Sequence, residues 1–255
     1  MKRIVVIALN TFKENLRDKI LFNLVVFGLM LIGSSVLLGS LTIGEQAKLM
    51  KDLGLASINI FGVLIAVFVG IGLVSKEIEK RTIYSIIAKP IPRYQFILGR
   101  YSGLALTLSV NIAIMAVGFA LVLLLGNVSL DIGLMKAIGL IFLELLLIVA
   151  VAIMFSTFTT PTLSATFTLA IYVIGHLTGD LKAFGDKLEN PLLSGVLNVL
   201  YYALPNLAHF NVKSEAAHGI PISWNYLLVT VSYGVVYAAS VMVAACMIFQ
   251  RRDFK

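Results

Sequence analysis

Charged residues are scarce in this sequence. Only 13% of the 255 residues are charged, whereas 59% are hydrophobic, and the mean hydropathy is +0.98. Soluble domains contain about 25% charged residues, so a water-covered globular domain is excluded. The formal net charge of +7 does not indicate a nucleic-acid-binding protein, because that function needs a basic face on a folded soluble domain. We therefore expect a membrane protein.

Residues that usually bind metals, nucleotides or disulfide partners are also scarce. The single cysteine, Cys246, lies in an apolar run and has neither a disulfide partner nor a second thiol for a zinc site. His209 and His218 alone are too few for a metal centre. No glycine-rich phosphate loop ending in Gly-Lys-Ser or Gly-Lys-Thr is present. We therefore expect the chain itself to bind no ATP, no other cofactor and no metal.

Six apolar runs are long enough to cross a bilayer, since a helical span needs about 20 apolar residues. They cover residues 21–41, 55–75, 96–125, 132–155, 162–178 and 226–249. The runs are apolar all round, whereas strands of a membrane barrel would alternate apolar and polar side chains. The sequence therefore predicts an all-α integral membrane protein with six transmembrane helices, which form a single transmembrane domain over residues 1–255.

The distribution of positive charge predicts the orientation of the chain. Of the 20 Lys and Arg residues, fourteen lie before the first run, around the loop between the second and third runs, or after the sixth. The other six lie in the opposite set of loops. Because basic loops stay on the cytoplasmic side, both termini are predicted to be cytoplasmic, which requires an even number of spans.

Residues 1–20 are predicted to form an N-terminal amphipathic helix. Four apolar side chains recur there at helical spacing, and charged residues occupy the other face. The apolar positions are Leu9, Phe12, Leu16 and Ile20. A helix with this pattern is typical of a segment that lies in the membrane interface, here on the cytoplasmic side.

Residues 179–225 are predicted to form an extracytoplasmic segment. Within it, the apolar run 192–204 lies between Pro191 and Pro205. A helix rises about 1.5 Å per residue, so this run cannot cross a hydrocarbon core about 30 Å thick. We expect it to be an interfacial or re-entrant helix.

The loop 76–95 combines charge with a short apolar face. A cluster of Glu, Lys and Arg is followed by Ile83, Ile86 and Ile87, and Pro90 ends the element. A short cytoplasmic helix with an apolar face is what a docking element for another protein requires. The alternative is a basic loop that only contacts lipid headgroups, and composition leaves both possibilities open.

Glu144 is the most informative single residue. It lies about midway along the fourth run, where an acid costs about 2.5–3.5 kcal/mol on insertion scales. We expect it to face other helices or a wet path and to have a polar partner, either as a pathway residue or as a packing residue. Asn111 lies at comparable depth and His176 further out. Ser102 and His176 are predicted to differ too much in depth to form a hydrolase pair.

The loop between the second and third runs resembles the signature of permease subunits of ATP-binding-cassette transporters of the second export class. The residues that carry the resemblance are Glu77, Glu79, Arg81-Thr82 and Pro90-Ile91-Pro92-Arg93. The segments 10–14 and 17–19 resemble the N-terminal interface helix of that family. The segments 53–55 and 204–207 resemble parts of permeases associated with multicopper-enzyme maturation. The match covers nearly the whole chain.

The resemblance implies that the chain forms a translocation pathway as a homodimer or heterodimer with a second permease chain, and that two separate ATPase subunits, which use the ATP, drive it. The chain itself would not be an enzyme and would bind no nucleic acid. It would lie in the cytoplasmic membrane of a bacterium or archaeon. The implied coupling residues are Glu77, Glu79, Arg81, Thr82, Ile83, Tyr84, Ile86, Ile87, Pro90 and Arg93.

Two other classes of protein stay open. An ion-coupled secondary transporter could use Glu144 as a proton carrier, but such proteins often contain internal repeats, and none is evident here. A membrane-embedded enzyme would need a catalytic set that the sequence does not offer. An ATPase encoded beside this chain would favour the interpretation as a permease subunit of an ATP-binding-cassette transporter.

Overall fold

The structure is a computed structural model that describes residues 2–42, 44–79, 92–185 and 191–251. The described residues form helices and connecting turns and contain no strand, which confirms the all-α fold class. The helices are α1 (Lys2–Leu16), α2 (Lys19–Ser40), α3 (Gln46–Glu79), α4 (Arg93–Leu125), α5 (Ile132–Ser156), α6 (Pro161–His176), α7 (Thr178–Gly185), α8 (Pro191–Ala203), α9 (Lys213–Ala217) and α10 (Trp224–Arg251), with a 3-10 turn at Leu207–Phe210.

Among the described residues, five helices are long and apolar enough to cross a membrane: α2, α3 over Gln46–Ile71, α4, α5 and α10. The sixth candidate is the pair α6 and α7, whose axes differ by 62°. The bend lies at Leu177, whose amide donates to the carbonyl of Ile174 instead of continuing the α-helical pattern. The predicted six spans thus correspond to five single helices and one bent pair.

Both ends of the described chain lie at the same end of the bundle, which we call the terminal end. There α1 packs against the beginning of α4. Arg93, the first residue of α4, donates hydrogen bonds to the carbonyls of Phe249 and Gln250 at the end of α10, at 3.1 and 3.0 Å. The opposite end, where α3, α5 and α10 begin, is the distal end. Because α5 ends at the terminal end and α10 begins at the distal end, α6 and α7 carry the chain back across the bundle.

The five helices that could each cross a membrane alone are not equally buried. In α3 and α5, 67% and 61% of the most apolar window is buried, compared with 28% in α2, 33% in α4 and 22% in α10. Helices α3 and α5 therefore form the centre of the bundle, and the other three present most of their apolar surface outward. A polar side chain on the inner face of α3 or α5 is enclosed by protein.

The N-terminal helix ends four residues before the predicted boundary. Asp18 accepts a hydrogen bond from the amide of Ile20 at 2.9 Å and caps the start of α2. An aspartate in this position satisfies an amide that has no partner within the helix. Helix α1 therefore stops at Leu16, and Ile20 belongs to α2.

Helix α1 lies very close to α4 because small residues face each other. A Cβ atom on Gly103 would lie 2.6 Å from the carbonyl oxygen of Ala8 and from Cβ of Thr11. Glycine thus allows the two backbones to approach. The inner face of α1 is formed by Ala8, Thr11 and Asn15, whereas its exposed apolar side chains are Val5, Val6, Leu9 and Leu16. That exposed face is suited to contact with lipid.

Residues 204–217, which we call the distal segment, enter the bundle at the distal end. The side chains of Leu207 and Phe210 are fully buried. They fill space beside two glycines: a Cβ on Gly175 would lie 2.8 Å from Leu207, and one on Gly234 would lie 2.9 Å from Phe210. Helix α8, which contains residues 192–203 of the run predicted to be interfacial or re-entrant, precedes this segment.

Candidate functional site: a buried polar cluster

Glu144 is enclosed at the centre of the bundle, with 1% of its surface exposed. Its Oε2 accepts a hydrogen bond from Nδ2 of Asn59 on α3, at 3.1 Å. Its Oε1 lies 3.3 Å from Nε2 of His176 on α6. These contacts confirm the expectation that this acid has polar partners inside the bundle.

Asn59 connects Glu144 to two further groups. Its Oδ1 accepts a hydrogen bond from the hydroxyl of Tyr172 at 2.7 Å and from the ammonium of Lys213 at 3.1 Å. We call the five residues Asn59, Glu144, Tyr172, His176 and Lys213 the polar cluster. They come from α3, α5, α6 and α9, so the polar cluster joins four elements of the bundle.

Helix α6 supplies two of these side chains from one face. Tyr172 and His176 are four residues apart, which places them one above the other on a helix. Their rings lie 4.7 Å apart, and Nδ1 of His176 is 3.1 Å from the carbonyl oxygen of Tyr172. This contact fixes the orientation of the imidazole, so that Nε2 points towards Glu144.

Lys213 reaches the polar cluster from the distal segment. The buried side chains of Leu207 and Phe210 anchor that segment, and Lys213 follows as the first residue of α9. Burial lowers the pKa of Lys213, and the negative charge of Glu144 partly offsets this effect. The ammonium is therefore placed where its positive charge compensates a carboxylate in the interior.

Asn111 and Ser102 are not part of the polar cluster. The Nδ2 of Asn111 donates to the carbonyl of Thr107 in its own helix at 2.8 Å. Ser102 lies in the first third of α4, near the terminal end, and its hydroxyl donates to the carbonyl of Leu98 at 2.8 Å. His176 ends α6 on the distal side, so the two residues of the hypothetical hydrolase pair are at different depths.

The polar cluster offers charge compensation and proton exchange. It contains one carboxyl, one imidazole, one phenol and one ammonium group. Among the residues that the structure describes, no group of three or more His, Cys, Asp or Glu side chains could hold a metal ion. The groups that are present can form ion pairs and can bind or release protons.

Residues 5–254 match the family model of the ABC-2 family transporter proteins, which covers nearly the whole chain. The chain belongs to this family. Among curated proteins, the sequence has no significant match. Membership of the ABC-2 family, together with the apolar helices, makes the chain a multi-pass membrane subunit of an ABC transporter.

The predicted coupling residues of this ABC-2 family subunit fall in three groups. Arg93 is described, and its guanidinium bonds to the end of α10. Glu77 and Glu79 belong to the last turns of α3. The others lie outside the described residues: Arg81, Thr82, Ile83, Tyr84, Ile86, Ile87 and Pro90.

Sequence reasoning missed three members of the polar cluster in this ABC-2 family subunit. Asn59 and Tyr172 are polar residues within apolar runs, so their position in a span was a usable signal. Lys213 was considered only as one of the six basic residues of the opposite loops. Nothing in its spacing could have placed it beside Asn59, 154 positions away.

Proposed function

We propose that this chain forms a translocation pathway together with a second permease chain, and that two separate ATPase subunits drive it. The observation that carries the proposal is the match to the ABC-2 family over residues 5–254. The chain itself binds and hydrolyses no ATP in this proposal, since its sequence contains no phosphate loop. It needs no cofactor of its own and no nucleic acid.

In this proposal the terminal end of the bundle faces the cytoplasm of a bacterium or archaeon. Fourteen of the 20 Lys and Arg residues belong to the loops and termini of that end. The distal segment then faces the outside and covers the pathway. Glu144 and His176, enclosed below the distal segment, are the pathway residues we favour.

The region 77–93 is the proposed contact with the ATPase. Its last residue, Arg93, begins α4 and is bonded to the end of α10. The same part of α4 also contacts α1 through Gly99 and Gly103. A displacement of the loop would therefore be passed directly to α4, α1 and α10, which supports a role for this region in coupling.

Recovery of the ATPase with permease variants tests the proposed contact. Loss of an apolar anchor can cost 2 kcal/mol or more at an interface, whereas loss of an exposed charge usually costs less than about 1 kcal/mol. The double variant Tyr84→Ala, Ile86→Ala should therefore recover much less ATPase than Lys80→Ala, with equal membrane insertion. Equal recovery by wild type and the double variant would place the contact elsewhere.

An ion-coupled secondary transporter is the second candidate function, and the burial of Glu144 beside His176 is the observation in its favour. The two functions predict different requirements. An ATP-driven subunit transports cargo only with its ATPase and ATP, whereas a secondary transporter reconstituted alone would respond to an imposed proton gradient. Gradient-driven transport by the chain alone would overturn the first proposal.

A further inference from the structure

The direction of each hydrogen bond in the polar cluster can be assigned from chemistry, starting at Lys213. A lysine ammonium only donates hydrogen bonds, so the Asn59 atom that faces it is the amide oxygen. The Asn59 amide nitrogen then faces Glu144 and donates to Oε2. Oε2 is consequently an acceptor, and any proton on the Glu144 carboxyl belongs on Oε1.

The same assignment can be made from the other side. Nδ1 of His176 lies 3.1 Å from the carbonyl oxygen of Tyr172. A carbonyl oxygen only accepts, so Nδ1 carries a hydrogen and donates it. The tautomer of His176 is thereby fixed, and in a neutral imidazole Nε2 presents a lone pair.

The two assignments meet at Oε1 of Glu144 and Nε2 of His176, which are 3.3 Å apart. Both atoms are buried, and neither has a hydrogen-bond partner among the described residues. With a carboxylate and a neutral imidazole, two lone pairs face each other away from water, which is unfavourable. One proton resolves this, because either a carboxyl donates to the imidazole or an imidazolium donates to the carboxylate.

We propose that Glu144 and His176 form a proton-binding site, and that the shared proton competes with Lys213 for the charge of the carboxylate. With Lys213 in place and no shared proton, the charges of the three groups sum to zero. Adding the proton leaves one buried positive charge without a counter-charge. Removing Lys213 instead leaves a buried carboxylate, which favours the proton.

The consequence is that departure of the distal segment is linked to proton uptake. Lys213 is the cluster member that this segment contributes, so a movement of the segment withdraws the ammonium. The proton shared with His176 then compensates the charge of the Glu144 carboxylate. Return of Lys213 expels the proton. Exchange of one positive charge for another keeps the interior neutral in both positions of the segment.

The charged side chains near α5, Lys136 and the pair Lys51–Asp131, lie at its distal start, eight or more positions before Glu144. The remaining titratable groups that face α5 or the polar cluster are tyrosines, which are uncharged at neutral pH. Tyr172 of α6 donates its hydroxyl to Asn59. Tyr101 of α4 donates to the carbonyl of Leu146 at 3.4 Å, and Tyr233 of α10 accepts from the amide of Asn206 at 2.8 Å. Tyrosine titrates near pH 10 in its unperturbed state, so the proton exchange belongs to Glu144, His176 and Lys213.

Nitrogen-15 NMR of the histidine ring tests the proposal on the isolated chain in lipid bilayers, without ATPase, so its outcome is separate from that of the proposed coupling. The chain contains three histidines, and His209→Gln with His218→Gln leaves only His176. Nδ1 should carry a hydrogen throughout the titration, while the Nε2 signal changes in one step as the pH falls, from that of a bare nitrogen to that of a nitrogen that is protonated or accepts the carboxyl proton. Glu144→Gln should suppress that step, because the amide group donates to Nε2 itself.

The lysine variants test the competition. Lys213→Met should raise the midpoint of the Nε2 titration by about one pH unit or more, a tenfold tightening of proton binding. Lys51→Met is the matched control, since Lys51 is another lysine near the distal end and pairs with Asp131 outside the polar cluster; it should leave the midpoint unchanged. The proton-binding site would be refuted if, in the chain with an unchanged polar cluster, Nδ1 carried no hydrogen and Nε2 were protonated at every pH. A midpoint unaffected by Lys213→Met, or moved equally by Lys51→Met, would overturn the competition.

Discussion

Two of the networks that bury charged side chains in the described part of the chain differ in how the charge is compensated. At the terminal end, Arg100 is buried, with 4% of its side chain exposed, and lies 3.3 Å from Glu14, whose side chain is 49% exposed. In the polar cluster, the side chains of Glu144 and His176 are 1% and 20% exposed. In the first network the acid, Glu14, is exposed, whereas in the second the acid, Glu144, is enclosed and depends on partners within the protein.

The terminal network joins two helices that are also held by close packing. Arg100 donates to the hydroxyl of Thr11 at 3.2 Å, and Asn15 donates to Thr107 at 3.1 Å. Gly103 lies between these contacts and lets α1 approach α4. Because polar and packing contacts coincide, this network acts as a clamp between α1 and α4.

The polar cluster joins three helices and the distal segment, and its charge balance depends on that segment. The comparison teaches that burial of charge alone does not distinguish the two networks. What distinguishes the polar cluster is that one of its charges, Lys213, is supplied by a short segment between helices. Four predictions test this difference, from the largest expected effect to the smallest.

Glu144→Leu should be the most destabilising change, because it leaves the half-buried ammonium of Lys213 without the carboxylate that compensates its charge. Removing one partner of a direct buried ion pair costs about 3–5 kcal/mol, which is an upper limit here because Asn59 lies between Lys213 and Glu144. Glu144→Gln is the control, since its amide oxygen still accepts from Asn59 and its amide nitrogen can donate to His176. Thermal unfolding of both variants in detergent should show the larger loss for leucine. Equal losses would mean that shape, not charge, holds this site.

Gly103→Ala should loosen the terminal clamp without changing the polar cluster. The added Cβ would lie 2.6 Å from the backbone of Ala8, and overpacking of this kind costs about 1–3 kcal/mol. Gly139→Ala on α5 is the matched control, because nothing lies within 4 Å of its Cβ position. Protease cleavage after α1 should accelerate only in the Gly103 variant. Unchanged cleavage would show that α1 is held by lipid.

Arg93→Ala should release the last turn of α10. The guanidinium bonds two carbonyls at a helix C-terminus, where a positive charge contributes about 0.3–1 kcal/mol. Hydrogen exchange at residues 247–251 should therefore become several-fold faster, while exchange in α5 stays unchanged. Identical exchange in wild type and variant would remove the proposed link between the coupling region and α10.

Asn111→Leu should have the smallest effect on stability, below about 1 kcal/mol, because the side chain bonds only a carbonyl of its own helix in the part of the chain that is described. The thermal unfolding assay used for Glu144 measures this directly. If transport is lost while stability is kept, Asn111 acts in the pathway, which would extend the functional region beyond the polar cluster.

The helical class, the membrane location, the set of spans and the unusual position of Glu144 could be predicted from the sequence. These properties depend on local composition: about 20 apolar residues in a row suffice to span a bilayer, and an acid within such a run demands a partner wherever it lies. The spacing of Tyr172 and His176 on one helical face is local in the same sense.

The partners in both networks were decided only by the tertiary structure. Arg100 counted in the sequence as one of many basic residues near a loop, yet packing of α1 on α4 places it in a buried contact with Thr11. Lys213 meets Asn59 across 154 positions, because Leu207 and Phe210 fill space beside Gly175 and Gly234. Which faces of two helices meet, and which segment enters between them, depends on the packing of the whole bundle, and no short stretch of sequence contains that information.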